Sequence, residues 1–251
     1  MERSFEELVE EAARAPIDGW DFSWLDGRAT EERPTWRYSE RVAERARSSS
    51  RMLDLQSGGG EMLAGLPVLP PLMVATEGHA PNVAVAARRL RPRGAHVVAT
   101  DDRRRALPLA KASFDLVTSR HPVDTWWDEI ARVLRPGGTY LSQQVGRASV
   151  HELSEHFLGP FEPGAKREPE AARRAALAAG LVVTELRHER PRTEFCDVGA
   201  VVYFLRLVVW IVPGFTVDRY RDRLRALHER IERDGPFVTY ASRFLIEATR
   251  P

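Results

Sequence analysis

Apolar and polar positions recur along the chain with two periods, and the changes of period mark the elements. Phe5, Leu8, Val9 and Ala12 fall three and four residues apart behind Ser4, the spacing of an amphipathic helix with a serine cap over residues 4–15. A stretch of little periodicity follows, Gly19-Trp20-Asp-Phe22-Ser-Trp24-Leu25, and then Thr35-Trp36-Arg-Tyr38 opens a helix to about Arg47. From Arg51 onward, short apolar runs and helical periods take turns. Residues 52–55, 72–77, 96–100, 113–119 and 139–145 read as buried strands. One or two helical turns at 61–66 are stopped by Pro67, Pro70 and Pro71; longer helices start at Pro81-Asn82 and near Trp126-Trp127, the latter ending at Arg135-Pro-Gly-Gly138. Four successive strand-crossover-strand units of this length predict an α/β fold, a parallel, right-handed, doubly wound sheet with helices on both faces.

The last third has a different texture. A helix at 169–179 capped by Gly180 leads into a strand at 181–186, and residues 237–248 read as one more strand. Roughly fifty residues lie between these strands, too many for a structureless loop. They hold an apolar segment at 198–212 and a helix over 217–233. The expected organisation is an amino-terminal helical and aromatic arm, residues 1–50, followed by one domain, 51–251, with an insertion at about 190–235. The three tryptophans before the first strand of that domain either form a lid over a ligand or cement the arm to the core.

Composition narrows the setting. The 251 residues suffice for one α/β domain with extensions, and a net charge of +1 argues against bulk capture of nucleic acid. Almost all basic side chains are arginine, with only Lys111 and Lys166 besides, which fits a GC-rich, actinobacterial-looking coding bias. Cys196 alone forms no internal disulfide, so a reducing cytoplasm is the expected location; Glu194 and Asp197 nearby should raise its pKa. The amino terminus is acidic without an apolar run, unlike a signal peptide, and the apolar stretch 205–212 is too short to cross a bilayer, so no membrane partner is expected. The histidines and acids do not stand at zinc-ligand spacings, so no metal is expected.

Candidate chemistry begins at Arg51-Met-Leu-Asp-Leu-Gln-Ser-Gly-Gly-Gly60, where a buried strand turns into a glycine-dense loop. Glycines permit positive φ and let a ligand lie against bare main chain, and a helix start behind the loop offers unpaired N–H groups. The pattern predicts a nucleotide-like pocket. Together with Glu77 closing the second strand, acids after the third, Ser113-Phe-Asp-Leu-Val before the fourth and Leu134-Arg-Pro-Gly-Gly138 before the fifth, the chain resembles the class I S-adenosylmethionine-dependent methyltransferases, of the methyltransferase type 11-like kind. The resemblance covers about residues 51–145. It implies a Rossmann-like sheet of seven strands, mostly parallel, with the last strand antiparallel and the cofactor across the carboxyl ends of the strands.

The same resemblance implies roles. Asp54, Ser57, Gly58 and Gly60 would line the methionine and sugar side of S-adenosylmethionine, and Glu77 would accept from the ribose hydroxyls. Asp101 or Asp102 would meet the adenine amine. Ser119, Arg120 and His121 would approach the methyl end and the acceptor. Gln56 stands where the family often has glycine; it either crowds the loop or adds an amide contact to the cofactor. His121 is the candidate for a general base or acceptor-positioning group, because it follows a strand end facing the pocket and titrates near neutrality. His151 and His156 follow the fifth strand, with surface placement favoured.

The expected activity is methyl transfer by in-line displacement to a small-molecule acceptor, through O, N or C, releasing S-adenosylhomocysteine. The arm and the insertion would form the acceptor chamber. An RNA methyltransferase is the alternative, with Arg103 to Arg105 and Arg219 to Arg225 as its basic runs, although solvated faces account for each run. A nucleobase amino acceptor is disfavoured, since Ser119-Arg-His-Pro122 replaces the Asn-Pro-Pro-aromatic signature. A dinucleotide-binding oxidoreductase or non-catalytic binder is the remaining alternative; its G-x-G-x-x-G pattern fails at Leu63.

Overall fold

The computed structural model describes residues 3–17, 20–164 and 167–251; Gly19, which opens the aromatic stretch, and Lys166 lie outside the described residues. In chain order, α1 (Phe5–Arg14), β1 (Ala29–Glu31) and α2 (Tyr38–Arg47) precede β2 (Arg51–Leu55), α3 (Glu61–Ala64), β3 (Leu72–Glu77), α4 (Ala80–Leu90) and β4 (His96–Ala99). Then come β5 (Phe114–Arg120), α5 (Trp127–Val133), β6 (Leu134–Val145), α6 (His151–Leu158), α7 (Pro169–Ala178) and β7 (Val182–Glu189). The chain closes with β8 (Arg192–Phe195), α8 (Val198–Leu207), α9 (Arg221–Asp234), β9 (Phe237–Tyr240) and β10 (Arg243–Thr249). These elements form two compact units, each assembled from three or more chain segments.

The larger unit takes residues 34–146, 166–189 and 243–251. Its sheet has seven strands in the order β4-β3-β2-β5-β6-β10-β7. The strands from β4 to β6 are parallel, and β10 runs antiparallel to both β6 and β7. The order reverses at β2, where the chain goes first outward to β3 and β4 and later to β5. Helices cover the two faces over two apolar layers, one holding Met52, Leu90, Leu116 and Leu245, the other Leu53, Val117, Ile130 and Phe244. Neighbours along β2 thus bury on opposite sides, which is why that strand reads as continuously apolar.

The smaller unit takes residues 1–33, 147–165 and 190–242. Its sheet is antiparallel in the order β1-β8-β9. Helix α1 carries the expected cap: the Ser4 N–H donates to Glu7 Oε2 at 2.8 Å and its hydroxyl accepts from the Glu7 N–H at 3.4 Å. Helix α8 is buried almost all round and approaches α1 closely, since a Cβ on Gly199 would stand 2.8 Å from the Leu8 carbonyl. Phe5, Leu8 and Val9 join Val201, Leu205 and Leu224 in one core.

Three elements differ from the sequence expectation. Residues 237–248 are two strands in two sheets, because β9 alternates buried and partly exposed positions while β10, covered on both faces, is buried from Arg243 to Ala248. The Leu134-Arg-Pro-Gly-Gly138 segment lies inside β6. Gly137 takes φ +76° there, and the ends of the strand pair exchange backbone hydrogen bonds through Gly137, Gly138 and Arg250. The helix expected over 217–233 starts at Arg221.

Candidate active site

Strand β2 delivers the glycine loop to the carboxyl edge of the sheet at the point where strand order reverses, the place where open α/β sheets bind ligands. Three residues of the loop take left-handed backbone, Gln56 (φ 54°), Gly58 (φ 58°) and Gly60 (φ 79°). Gly60 is required twice over, by its φ and because a Cβ there would meet Leu90 of α4 at 2.8 Å. The loop is tied to β3: Ser57 N–H donates to the Thr76 carbonyl at 2.9 Å and Gly58 N–H to Glu77 Oε2 at 2.7 Å. His79 N–H donates to Glu77 Oε1 at 2.8 Å, while the His79 ring is exposed.

Glu77 is 8% exposed, yet each of its oxygens takes one backbone N–H and keeps a further lone pair. That is the pair of acceptors a vicinal diol needs, so the residues present fit the sugar of an adenosyl cofactor. Beside it, Gly78 packs against the Asp102 carboxylate, which a Cβ would meet at 2.4 Å. Asp102 also accepts from the Thr100 hydroxyl at 3.2 Å, whereas Asp101 turns to Arg103, accepting from its backbone and side chain at 3.2 Å. Both aspartates are exposed at the end of β4.

Asp54 is placed differently from a ligand-lining carboxylate. It is 2% exposed beneath the loop, accepting from Thr118 Oγ1 at 2.5 Å and Ser57 Oγ at 2.7 Å. Burial raises its pKa to about 6 despite those hydrogen bonds. Gln56 points to the loop after β5: its amide donates to the Asp124 carbonyl at 2.7 Å and accepts from the Val123 N–H at 2.7 Å. The side chain is a clamp between two loops, and its amide is spent on them. Ser119 is likewise turned inward, its hydroxyl 2.8 Å from Tyr140 Oη and 2.9 Å from Ser142 Oγ. Tyr38 Oη donates to the Ser119 carbonyl at 2.9 Å.

His121, one residue past β5, has φ 54° and donates its backbone N–H to the Gln143 carbonyl at 2.7 Å. Trp36 Nε1–H donates to Gln143 Oε1 at 2.7 Å. An indole nitrogen only donates, so it fixes which end of the amide is oxygen. The Gln143 nitrogen therefore faces His121 Nε2, 2.9 Å away, and donates to it. The ring proton sits on Nδ1. Burial, followed by the positive charges of Arg243, Arg120 and Arg167, holds the imidazole pKa well below its ordinary range. At neutral pH His121 is a neutral donor whose basic nitrogen is already occupied. Trp36 and Gln143 escape a sequence reading; the only signal is a pair of glutamines, Gln143-Gln144, in an otherwise apolar and small-residue strand.

The remaining candidates lie in the smaller unit. His156 Nε2 bonds the Arg223 carbonyl at 2.9 Å, and His151 pairs with Glu155 at 3.3 Å. The exposed Cys196 has its thiol raised by what burial it has and by Glu194 and Asp197. Of the tryptophans, Trp24 stacks on Tyr203 and Trp20 packs on Trp210 in the smaller unit, while Trp36 belongs to the larger. Among the described residues no group of three or more His, Cys, Asp or Glu is arranged to hold a metal, and no helix is long and apolar enough to cross a membrane.

Residues 53–142 match the family model described as Methyltransferase domain. No curated protein sequence matches the chain. Among solved structures, a candidate methyltransferase of Bacillus halodurans superimposes with a TM-score of 0.60 at 16% identity, over 85% of this chain and 98% of that one. The methyltransferase of Haloferax volcanii solved with the activator Trm112 reaches 0.53 at 22% identity, over 98% and 96%. A geranyl diphosphate methyltransferase solved with S-adenosylmethionine reaches 0.51 at 16% identity, over 85% and 84%. The seven-stranded sheet with its antiparallel β10 is the fold of the class I methyltransferases. Residues 53–142 thus carry a methyltransferase domain, and the chain is similar to the class I methyltransferases in fold.

Proposed function

We propose that the enzyme methylates a small molecule. The observation that carries this reading is the state of its arginine runs. Arg103 and Arg104 pair with Asp101 at 3.2 and 3.5 Å, and Arg105 pairs with Asp124. Arg221 and Arg225 both pair with Glu6. Five of the side chains that an RNA backbone would need share three of the protein's own carboxylates, which accords with a net charge of +1.

Cofactor contacts follow from the loop. Glu77 takes the ribose hydroxyls, the backbone of Gly58 and Gly60 lies along the methionine and sugar side, and Asp101 or Asp102 meets the adenine amine. Asp54, Gln56, Ser57 and Ser119 serve the same site by holding the loop and the strand ends in place. The structural neighbour with S-adenosylmethionine bound supports the choice of cofactor.

When bound, S-adenosylmethionine would supply a methyl group on cationic sulfur, activated for in-line transfer to the acceptor. The protein's work is alignment and exclusion of water. His121 orients the acceptor as a hydrogen-bond donor through Nδ1–H, the role left to it once Gln143 occupies Nε2. Titration calorimetry tests the cofactor: S-adenosylhomocysteine should bind and NAD should not. Incubation with labelled S-adenosylmethionine tests the acceptor. Label in a small-molecule extract is the expected result, and label confined to transfer or ribosomal RNA overturns the reading.

A further inference from the structure

We propose that the acceptor is an anion, a small molecule whose carboxylate or phosphate is held by Arg120 with Arg243 and Arg167 beside it. The proposal rests on the small-molecule reading above and names its substrate class. The two strands that flank β6 bring two of these residues to one edge of the sheet: Arg120, the last residue of β5, is registered opposite Gln143, and Arg243, the first of β10, opposite Val145 of β6. Arg167 stands just before α7, in the same unit. The charged groups that act on the His121 ring are these three guanidiniums. Arg120 acts on the Asp54 carboxyl and the Tyr38 phenol as well, so its charge reaches groups on β2 and α2.

Neither Asp54 nor Glu77 forms an ion pair with Arg120 or Arg167. Asp54 is committed to Thr118 and Ser57, and Glu77 to two backbone N–H groups. Among the described residues, Arg120 and Arg167 make no ion pair and no side-chain hydrogen bond, in contrast to Arg103 to Arg105, Arg221 and Arg225, each of which is paired to a carboxylate. An ammonium-bearing acceptor would be repelled here, and a neutral one would leave Arg120 and Arg167 uncompensated. A carboxylate or phosphate matches both the sign and the two-pronged geometry of a guanidinium. His121 adds a neutral donor to that wall without adding a fourth charge.

The test fractionates a small-molecule cell extract on an anion-exchange resin near neutral pH, and then incubates each fraction with the enzyme and methyl-labelled S-adenosylmethionine. Label should appear in the retained fraction. Phosphatase treatment before incubation separates the two sources: loss of labelling marks a phosphate, survival a carboxylate. Absence of label from the retained fraction overturns the inference. Label in the unretained small molecules then leaves the small-molecule reading standing, whereas label confined to RNA removes both. With the labelled acceptor in hand, Arg120→Met should raise its KM by about tenfold or more with little change in kcat, and Arg120→Lys should recover part of the loss. S-adenosylhomocysteine affinity should not move. An unchanged KM, or a loss confined to S-adenosylhomocysteine, means that Arg120 serves something other than the acceptor and overturns the proposal.

Discussion

Gln143 donates its side-chain N–H to Nε2 of His121 across 2.9 Å. Because Trp36 fixes the other end of the amide, this one hydrogen bond sets the tautomer of a half-buried imidazole at the end of β5. Nitrogen NMR of the labelled ring should therefore show a protonated Nδ1 and an unprotonated Nε2 from pH 8 down past the ordinary imidazole range, with no titration near 6.5. Gln143→Glu should reverse this. A carboxylate can still accept from Trp36, but its second oxygen faces another acceptor, a conflict relieved once the ring carries a proton on Nε2, as the other neutral tautomer or as imidazolium. The spectrum of that variant should show a protonated Nε2 at neutral pH.

Histidine 121 also enters the pH dependence of folding. Its folded pKa is depressed, so the unfolded chain binds more protons below the unfolded value near 6.5. Its contribution to stability is present above that value and lost as pH falls. Replacement by Asn should flatten this part of the stability profile in denaturant titrations between about pH 5 and pH 7.

Asp54 acts in the opposite sense. Its folded pKa of about 6 lies above the ordinary 3.8, so the folded protein binds the proton more tightly, and the contribution of Asp54 falls as pH rises through that window. The penalty is on the order of 3 kcal/mol once ionised. Asp54→Asn keeps the shape and an acceptor for Thr118. Relative to wild type, its stability should grow from about pH 4 to pH 6 and then level off; a difference curve independent of pH would mean that the carboxyl is not strained by burial.

Glu77 can be probed by a nearly isosteric change. In Glu77→Gln one arm becomes an N–H donor facing the N–H of Gly58 or His79, which leaves a buried donor unsatisfied. A loss of about 1–3 kcal/mol in stability is expected, with at least a tenfold loss of S-adenosylhomocysteine affinity by calorimetry. Glu77→Ala should weaken binding without that donor conflict.

Gln56 holds the glycine loop to the loop after β5 at a left-handed backbone position. Gln56→Gly relieves the positive φ, worth about 1 kcal/mol, but removes both 2.7 Å hydrogen bonds. Global stability should change little. The Val123 amide, whose partner is lost, should exchange its hydrogen markedly faster, and methyl transfer should slow as the two loops lose their mutual register.

Much of the larger unit was legible from local pattern. Buried parallel strands announce themselves as short apolar runs, glycine at Gly58 and Gly60 marks backbone that other residues adopt only at a cost, and Gly180 ends its helix as expected. These are properties of a residue and its near neighbours in the chain. The break at Ala241-Ser242 between β9 and β10 was not legible. Both halves are apolar enough to be strand, and which sheet each joins depends on pairing with segments roughly fifty to one hundred residues away.

The site divides the same way. Sequence alone determined the glycine loop, the acid closing β3 and the histidine beyond β5, because each sits at a strand end that the pattern locates. Only the tertiary structure decided what those groups bond to. Asp54 and Ser119 face inward onto partners from other strands, and Gln56 spends its amide on Val123 and Asp124. Nε2 of His121 faces an N–H because Trp36, more than one hundred residues before Gln143, orients the amide against its ring. Hydrogen-bond direction is a property of pairs in space, and no spacing along the chain carries it.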